Sequence, residues 1–226
     1  MTKLLIKRFI KDYENTQNSD VRTAYGKFSS IVGIVCNAIL FISKLIVGTL
    51  SASVSITADA VNNLSDASSS IISLLGFKLA SRPADEEHPY GHGRYEYLSG
   101  LMVAVLIMVI GVELFKSSLD KVLHPSAVEF SWVTVGVLAF SILLKTWMAL
   151  FNTKTGKMIN SNTLIATAAD SRNDVITTGA VLVAAILSHF VGFELDGWMG
   201  LGVAGFFFFS GVGVVKDKPD PMRGKT

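Results

Sequence analysis

Six apolar runs divide the chain, at 28–50, 53–79, 97–117, 130–151, 163–190 and 198–215. Each comes close to the ~20 residues that a bilayer-spanning helix needs. Polar residues gather between the runs, with two exceptions. The second and fifth runs carry Ser, Thr, Asn and Asp inside an otherwise apolar stretch, where a polar side chain finds no water and is rarely tolerated without a role. ADAVNNLSD at 58–66 is echoed by ATAADSRND at 166–174. Aligned without gaps, Asn62 falls on Asp170 and Asp66 on Asp174, so each helix presents a pair at i and i+4 on one face. The two stretches read as halves of one cation site, three carboxylates and one amide. The pattern predicts an all-α membrane protein of six transmembrane helices, with spans two and five lining its interior.

Composition agrees with that class and adds a direction. Half of the 226 residues are hydrophobic, 17% are charged, and the mean hydropathy is +0.48, which excludes an ordinary soluble domain. The net charge of +2 gives no reason to expect a nucleic-acid partner. Cys36 is the only cysteine, so no internal disulfide exists, and its apolar surroundings make it a small buried hydrophobe. Residues 1–27 are rich in Lys and polar side chains and lack a small-residue cleavage site, as in a cytoplasmic arm rather than a signal peptide. With the N-terminus inside, the inner segments hold fifteen Lys and Arg and the outer connections only Lys116 and Lys121. That asymmetry places both termini in the cytoplasm. Tyr95, Tyr97, Trp132 and Trp198 stand at span ends, where aromatic rings anchor in the interface. Lys44, Lys145 and Arg172 fall within spans. The two lysines are expected to snorkel outward or to pair with an acid, and Arg172 is given no role.

A second motif, DEEHPYGHGRYE at 85–96, occupies the connection between spans two and three. His88 and His92 are four apart, but Pro89, Gly91 and Gly93 make the segment a loop running into a helix start. Two imidazoles near Asp85 suit a transition metal. A hydrogen-bonded latch, with Arg94 and Glu96 fixing the start of span three, accounts for the same residues equally well.

Taken together, DxxNxxxD on span two, DxxxD on span five and the HPYGHGRYE loop resemble the membrane domain of the cation diffusion facilitators. These are homodimeric exporters of divalent transition metals that exchange metal for protons. The resemblance covers about residues 20–221. It implies a transport site on Asn62, Asp66, Asp170 and Asp174, and a shallower second metal site on Asp85, His88 and His92. It also implies dimer or gating contacts among Arg94, Glu96 and Asp217. Zinc-transporting members usually carry His at one or both of the positions held here by Asn62 and Asp170, so the resemblance is closer to the manganese-type subgroup. Division into an arm at 1–27, a transport domain at 28–215 and a short tail at 216–226 then leaves the family's cytoplasmic C-terminal domain absent, as in a truncated or a naturally short variant.

The chemistry argues alongside the resemblance. Three carboxylates around one site repel one another, so the unloaded site tends to hold a proton that an arriving dication displaces. Asn62 adds a carbonyl oxygen without charge. Asp59, on much the same face, is expected to assist through hydration or hydrogen bonding rather than as a ligand. An all-oxygen set suits Mn2+, or Fe2+, better than Zn2+, which gains from imidazole. The expectation is therefore a non-enzymatic manganese efflux transporter, a proton antiporter without a resident cofactor, in the cell membrane of a bacterium, with itself and the bilayer as partners. A zinc, iron or cobalt exporter of the same family and a non-transporting regulatory subunit are the alternatives. A His-box membrane enzyme is excluded, because His88, His92, His124 and His189 are too few. A passive channel fits poorly with ligand pairs on two helices of one protomer.

Overall fold

The computed structural model describes residues 2–10, 12–16, 18–80, 109, 111–124, 129–191 and 195–205. Helix α1 spans Thr2–Phe9, α2 Ser19–Leu50, α3 Val54–Ala80, α4 residues 111–123, α5 Trp132–Met158, α6 Asn162–Val191 and α7 residues 196–205. No strand occurs among the described residues. Spans two and five match α3 and α6 almost residue for residue. Span one begins earlier than its apolar run, because Asn18 caps α2 by accepting from the Asp20 amide at 2.8 Å. Span four continues to Met158, beyond Phe151 where its apolar run ends. Spans three and six are described only in part.

Two hairpins form the bundle. Helix α2 packs along α3 and α5 along α6, while α2 meets α5 and α3 meets α6 between the pairs. Their turns are copies of one another, 108 residues apart. At 51–53 the amide of Ser53 donates to Gly48 O at 2.9 Å, and at 159–161 the amide of Ser161 donates to Gly156 O at 2.9 Å. Ala52 and Asn160 both sit at φ 50°, the left-handed step that closes this kind of helix end. Gly48 and Gly156 let each hairpin close tightly. A Cβ on Gly48 would lie 2.8 Å from Thr57 Oγ1, and one on Gly156 would lie 3.0 Å from Ile165 Cδ1. The same offset superposes Asn62 on Asp170 and Asp66 on Asp174, so the nine-residue echo in the sequence belongs to a longer repeat.

The hairpins are inverted relative to each other. The 159–161 turn lies beside the start of α2, where Ile159 and Leu164 pack with Ile6, Ile10, Val21 and Tyr25. That cluster also docks the arm, and Tyr25 Oη donates to Tyr13 O at 3.0 Å. The 51–53 turn lies at the other end, where the Glu129 amide reaches Ser51 O at 3.1 Å. Next to that turn, Val47, Ile56, Leu114, Leu138, Val181 and Val203 form the apolar core, with Ala58 and Ala204 allowing close approach.

Helices α2, α5 and α6 are long and apolar enough to cross a membrane. Along α2, Ile31, Val35, Ile39, Ile42, Ile46 and Leu50 make one exposed apolar stripe at spacings of three and four. A stripe of that length facing outward is stable against lipid and unstable against water.

Candidate cation site

Helices α3 and α6 run antiparallel, and their contacts fix the register. Asp59 lies beside Thr178, whose Oγ1 donates to Asp59 Oδ2 at 2.9 Å. Asn62 lies beside Asp174, with Nδ2 donating to Oδ1 at 2.5 Å. The same register brings Asp170 level with Asp66. The four expected ligands therefore occupy two adjacent levels close to the midpoint of both helices.

A lysine from α5 enters this group. Lys145 Nζ stands 2.6 Å from Asp66 Oδ2 and 2.5 Å from Asp174 Oδ2, with its side chain 2% exposed. Two carboxylates from different hairpins thus share one ammonium. Asp66 and Asp170 are accessible from a polar cavity of about 100 Å3 that runs from this point toward the α1 end. Ser29, Asn37, Ser70, Asn152 and Ser171 are among its walls. Asp174 also borders a second, mostly apolar crevice of about 280 Å3 shared with Asp59, Asn62, Trp198 and Met199. Among the described residues no three His, Cys, Asp or Glu side chains are gathered as a ready metal cage. The two innermost carboxylates face Lys145.

Asp59 occupies a separate level about 10 Å along α3, two helical turns from Asp66. Lys44 Nζ contacts it at 2.8 Å and donates to Thr178 Oγ1 at 3.1 Å. Of the two expectations for the intramembrane lysines, pairing with an acid holds for both, and neither snorkels. Arg172 does not join the acids; it is exposed, and its Nε donates to Ala168 O on its own helix at 3.3 Å. Asp85, His88, His92, Arg94, Glu96 and Asp217 lie outside the described residues.

Two features went beyond the sequence reading. One is the place of Lys145 within the cation site: the sequence predicts snorkelling or pairing with an acid without naming the acid, although as the cation at mid-helix of α5 it lies at the depth of the acids of α3 and α6. The other is a knot at the far end of the bundle. Asp196, the first residue of α7, accepts from the Val54 amide at 2.9 Å and from Ser53 Oγ and Ser55 Oγ at 2.5 Å each. Lys121 of α4 pairs with it at 3.0 Å and also donates to Ala52 O. A Ser-x-Ser ahead of a helix, where capping residues belong, was the available signal.

A helical bundle of inverted hairpins, with three helices long and apolar enough to cross a bilayer and acids and lysines at its centre, has the build of a membrane transport domain. Residues 30–218 match the cation efflux transmembrane domain, and the chain belongs to that family. It is 35% identical over 174 residues to an uncharacterized transporter of Methanocaldococcus jannaschii, covering 77% of this chain and 62% of the relative. It is 28% identical over 165 residues to the manganese efflux system protein MneS of Bacillus subtilis, covering 73% and 57%. The cation-efflux pump FieF of Salmonella agona is 28% identical over 189 residues, covering 82% and 63%. The chain thus spans about three fifths of the length of these relatives.

Proposed function

We propose that the chain exports divalent transition metals, manganese ahead of iron or zinc, in exchange for protons and by alternating access. The meeting of Asp66 and Asp174 at one point, from two inverted hairpins and beside a polar cavity, carries this reading. Carboxylate oxygens bind either a dication or a proton, so loading with one excludes the other, and that exclusion is the thermodynamic basis of antiport. Asp170, level with Asp66 and open to the cavity, is the third carboxylate that an arriving dication would draw in, and Asn62 contributes its neutral oxygen. Likeness to MneS, named for manganese efflux, favours manganese, as does the lack of imidazole in the set.

The α1 end, rich in Lys and Arg, is cytoplasmic in this reading, so the polar cavity is the cytoplasmic approach. The protein acts as a homodimer in the cell membrane. The test is Mn2+ uptake into proteoliposomes under an imposed pH gradient. Flux should rise with an opposing proton gradient and fall to background in Asp66→Asn and Asp174→Asn. Flux indifferent to both would refute it.

A further inference from the structure

Lys145 belongs to no ligand set, yet it holds the two carboxylates on which the cargo reading rests. We infer that the Lys145 ammonium is a tethered counter-cation, exchanging places with the transported metal on Asp66 and Asp174. The inference rests on the proposal that these two residues are cargo ligands.

The geometry makes joint occupancy untenable. The ammonium lies 2.6 and 2.5 Å from one oxygen of each carboxylate. A divalent metal would bond the same oxygens at about 2.0–2.2 Å, which forces the two cations within about 5 Å of each other. At that spacing, in surroundings far less polarisable than water, like charges repel by several kcal/mol at an effective dielectric of about 20. The metal therefore displaces the ammonium from these oxygens. The charge stays on the lysine throughout, and only its place changes.

The adjoining cavity supplies somewhere to go. Asn37 is 3% exposed and its Oδ1 has no partner among the described residues; Ser29, 4% exposed, has an Oγ equally unpartnered among them. Both line the same cavity as Lys145, together with Asp170. A buried acceptor with no donor is uncommon and calls for an explanation. A lysine on a flexible four-carbon stem, pivoting from the acids toward Asn37 and Asp170, supplies the missing donor. Asn37 also stands 108 residues before Lys145, the offset that relates the hairpins, so the two side chains occupy equivalent places around the site.

Such a device keeps two buried carboxylates compensated when no cargo is bound, and it weakens cargo binding enough to permit release. Both effects predict that removing the charge tightens binding and slows turnover. The experiment measures Mn2+ binding to the purified full chain in detergent, from loss of the free-ion resonance signal, together with melting temperature. In Lys145→Met, Mn2+ affinity should rise at least about tenfold, while the metal-free protein melts lower and gains more from added Mn2+ than the wild type. Lys145→Arg, which keeps the charge, should bind no tighter than the wild type. If Lys145→Met proves too unstable to purify without metal, Lys145→Gln provides the same comparison with a donor retained. A folded Lys145→Met or Lys145→Gln that binds Mn2+ no tighter than the wild type makes Lys145 a structural ion-pair partner and overturns the inference. Should Asp66→Asn and Asp174→Asn both leave Mn2+ binding intact, the cargo reading itself is at fault, and that result is separable from the first.

Discussion

Lys44 reaches from α2 to Asp59 on α3 at 2.8 Å, and neither side chain is more than 2% exposed. Two opposite charges sealed this deeply are costly to separate. Removing one leaves the other without water or counter-charge, which typically destabilises by about 3–5 kcal/mol. Asp59→Ala should therefore lower the melting temperature sharply, and Asp59→Ala with Lys44→Met should recover much of the loss. Equal losses in the single and double variants would show that Asp59 acts chiefly through Thr178.

The Asp196 knot makes a prediction about acid. Burial alone would raise this carboxyl, but hydrogen bonds from Ser53, Ser55 and Lys121, with the Lys121 charge, outweigh burial and hold it below the usual range. A carboxyl held low in the folded state stabilises above its unfolded value of about 3.9, and the contribution fades as pH falls from there through the folded value. The wild type should lose stability across that acid range more steeply than Asp196→Asn. At neutral pH the variant should be weaker by about 3 kcal/mol, since Lys121 is left unpaired. Parallel acid limbs in melting curves followed by tryptophan fluorescence would count against the knot.

The hairpin turns can be tested by filling their glycines. On Gly48 a new Cβ meets the Thr57 backbone nitrogen at 3.0 Å as well as its hydroxyl, whereas on Gly156 it meets side-chain carbons of Leu164 and Ile165. Backbone yields less readily than a side-chain tip. Both alanine variants should lose stability, by about 1–3 kcal/mol, with Gly48→Ala the worse of the two. Thermal melts of the two proteins in one detergent decide the order.

Selectivity should respond to Asn62. Its amide already touches Asp174 at 2.5 Å, so a nitrogen ligand placed there stands on the cargo group. Asn62→His adds a donor that suits zinc better than manganese. Competition flux with both ions should move toward Zn2+. A ratio unchanged from a wild type that already prefers zinc would show that ligand hardness does not set the preference.

The acids of spans two and five were legible because polar residues at helical spacing contrast with apolar surroundings, and Asn62, Asp66 and Asp174 do meet across α3 and α6. The pairing of Lys44 and Lys145 was legible only as one of two outcomes. Sequence spacing shows which face of a helix a residue shares, but not which neighbouring helix that face meets, so the reach of Lys145 across to Asp66 and Asp174 needed the packing of α5. The knot was hidden for the same reason, since Ser53, Lys121 and Asp196 are far apart in the chain and each looks like an ordinary loop residue. The extra turns of α2 and α5 continue through polar residues by capping and propensity, which an apolar run does not register.

The inverted hairpins make the backbones of the four central helices nearly a palindrome, alike from either end of the bundle. A palindrome has no arrow of its own. Whatever distinguishes inside from outside at the heart of the bundle must reside in letters that differ between the copies. Lys44 faces Asn152 in that comparison, Lys145 faces Asn37, and Asp170 faces Asn62. Each is a charge set against an amide of similar reach, and these three matched places give the centre of an otherwise two-way scaffold a polarity.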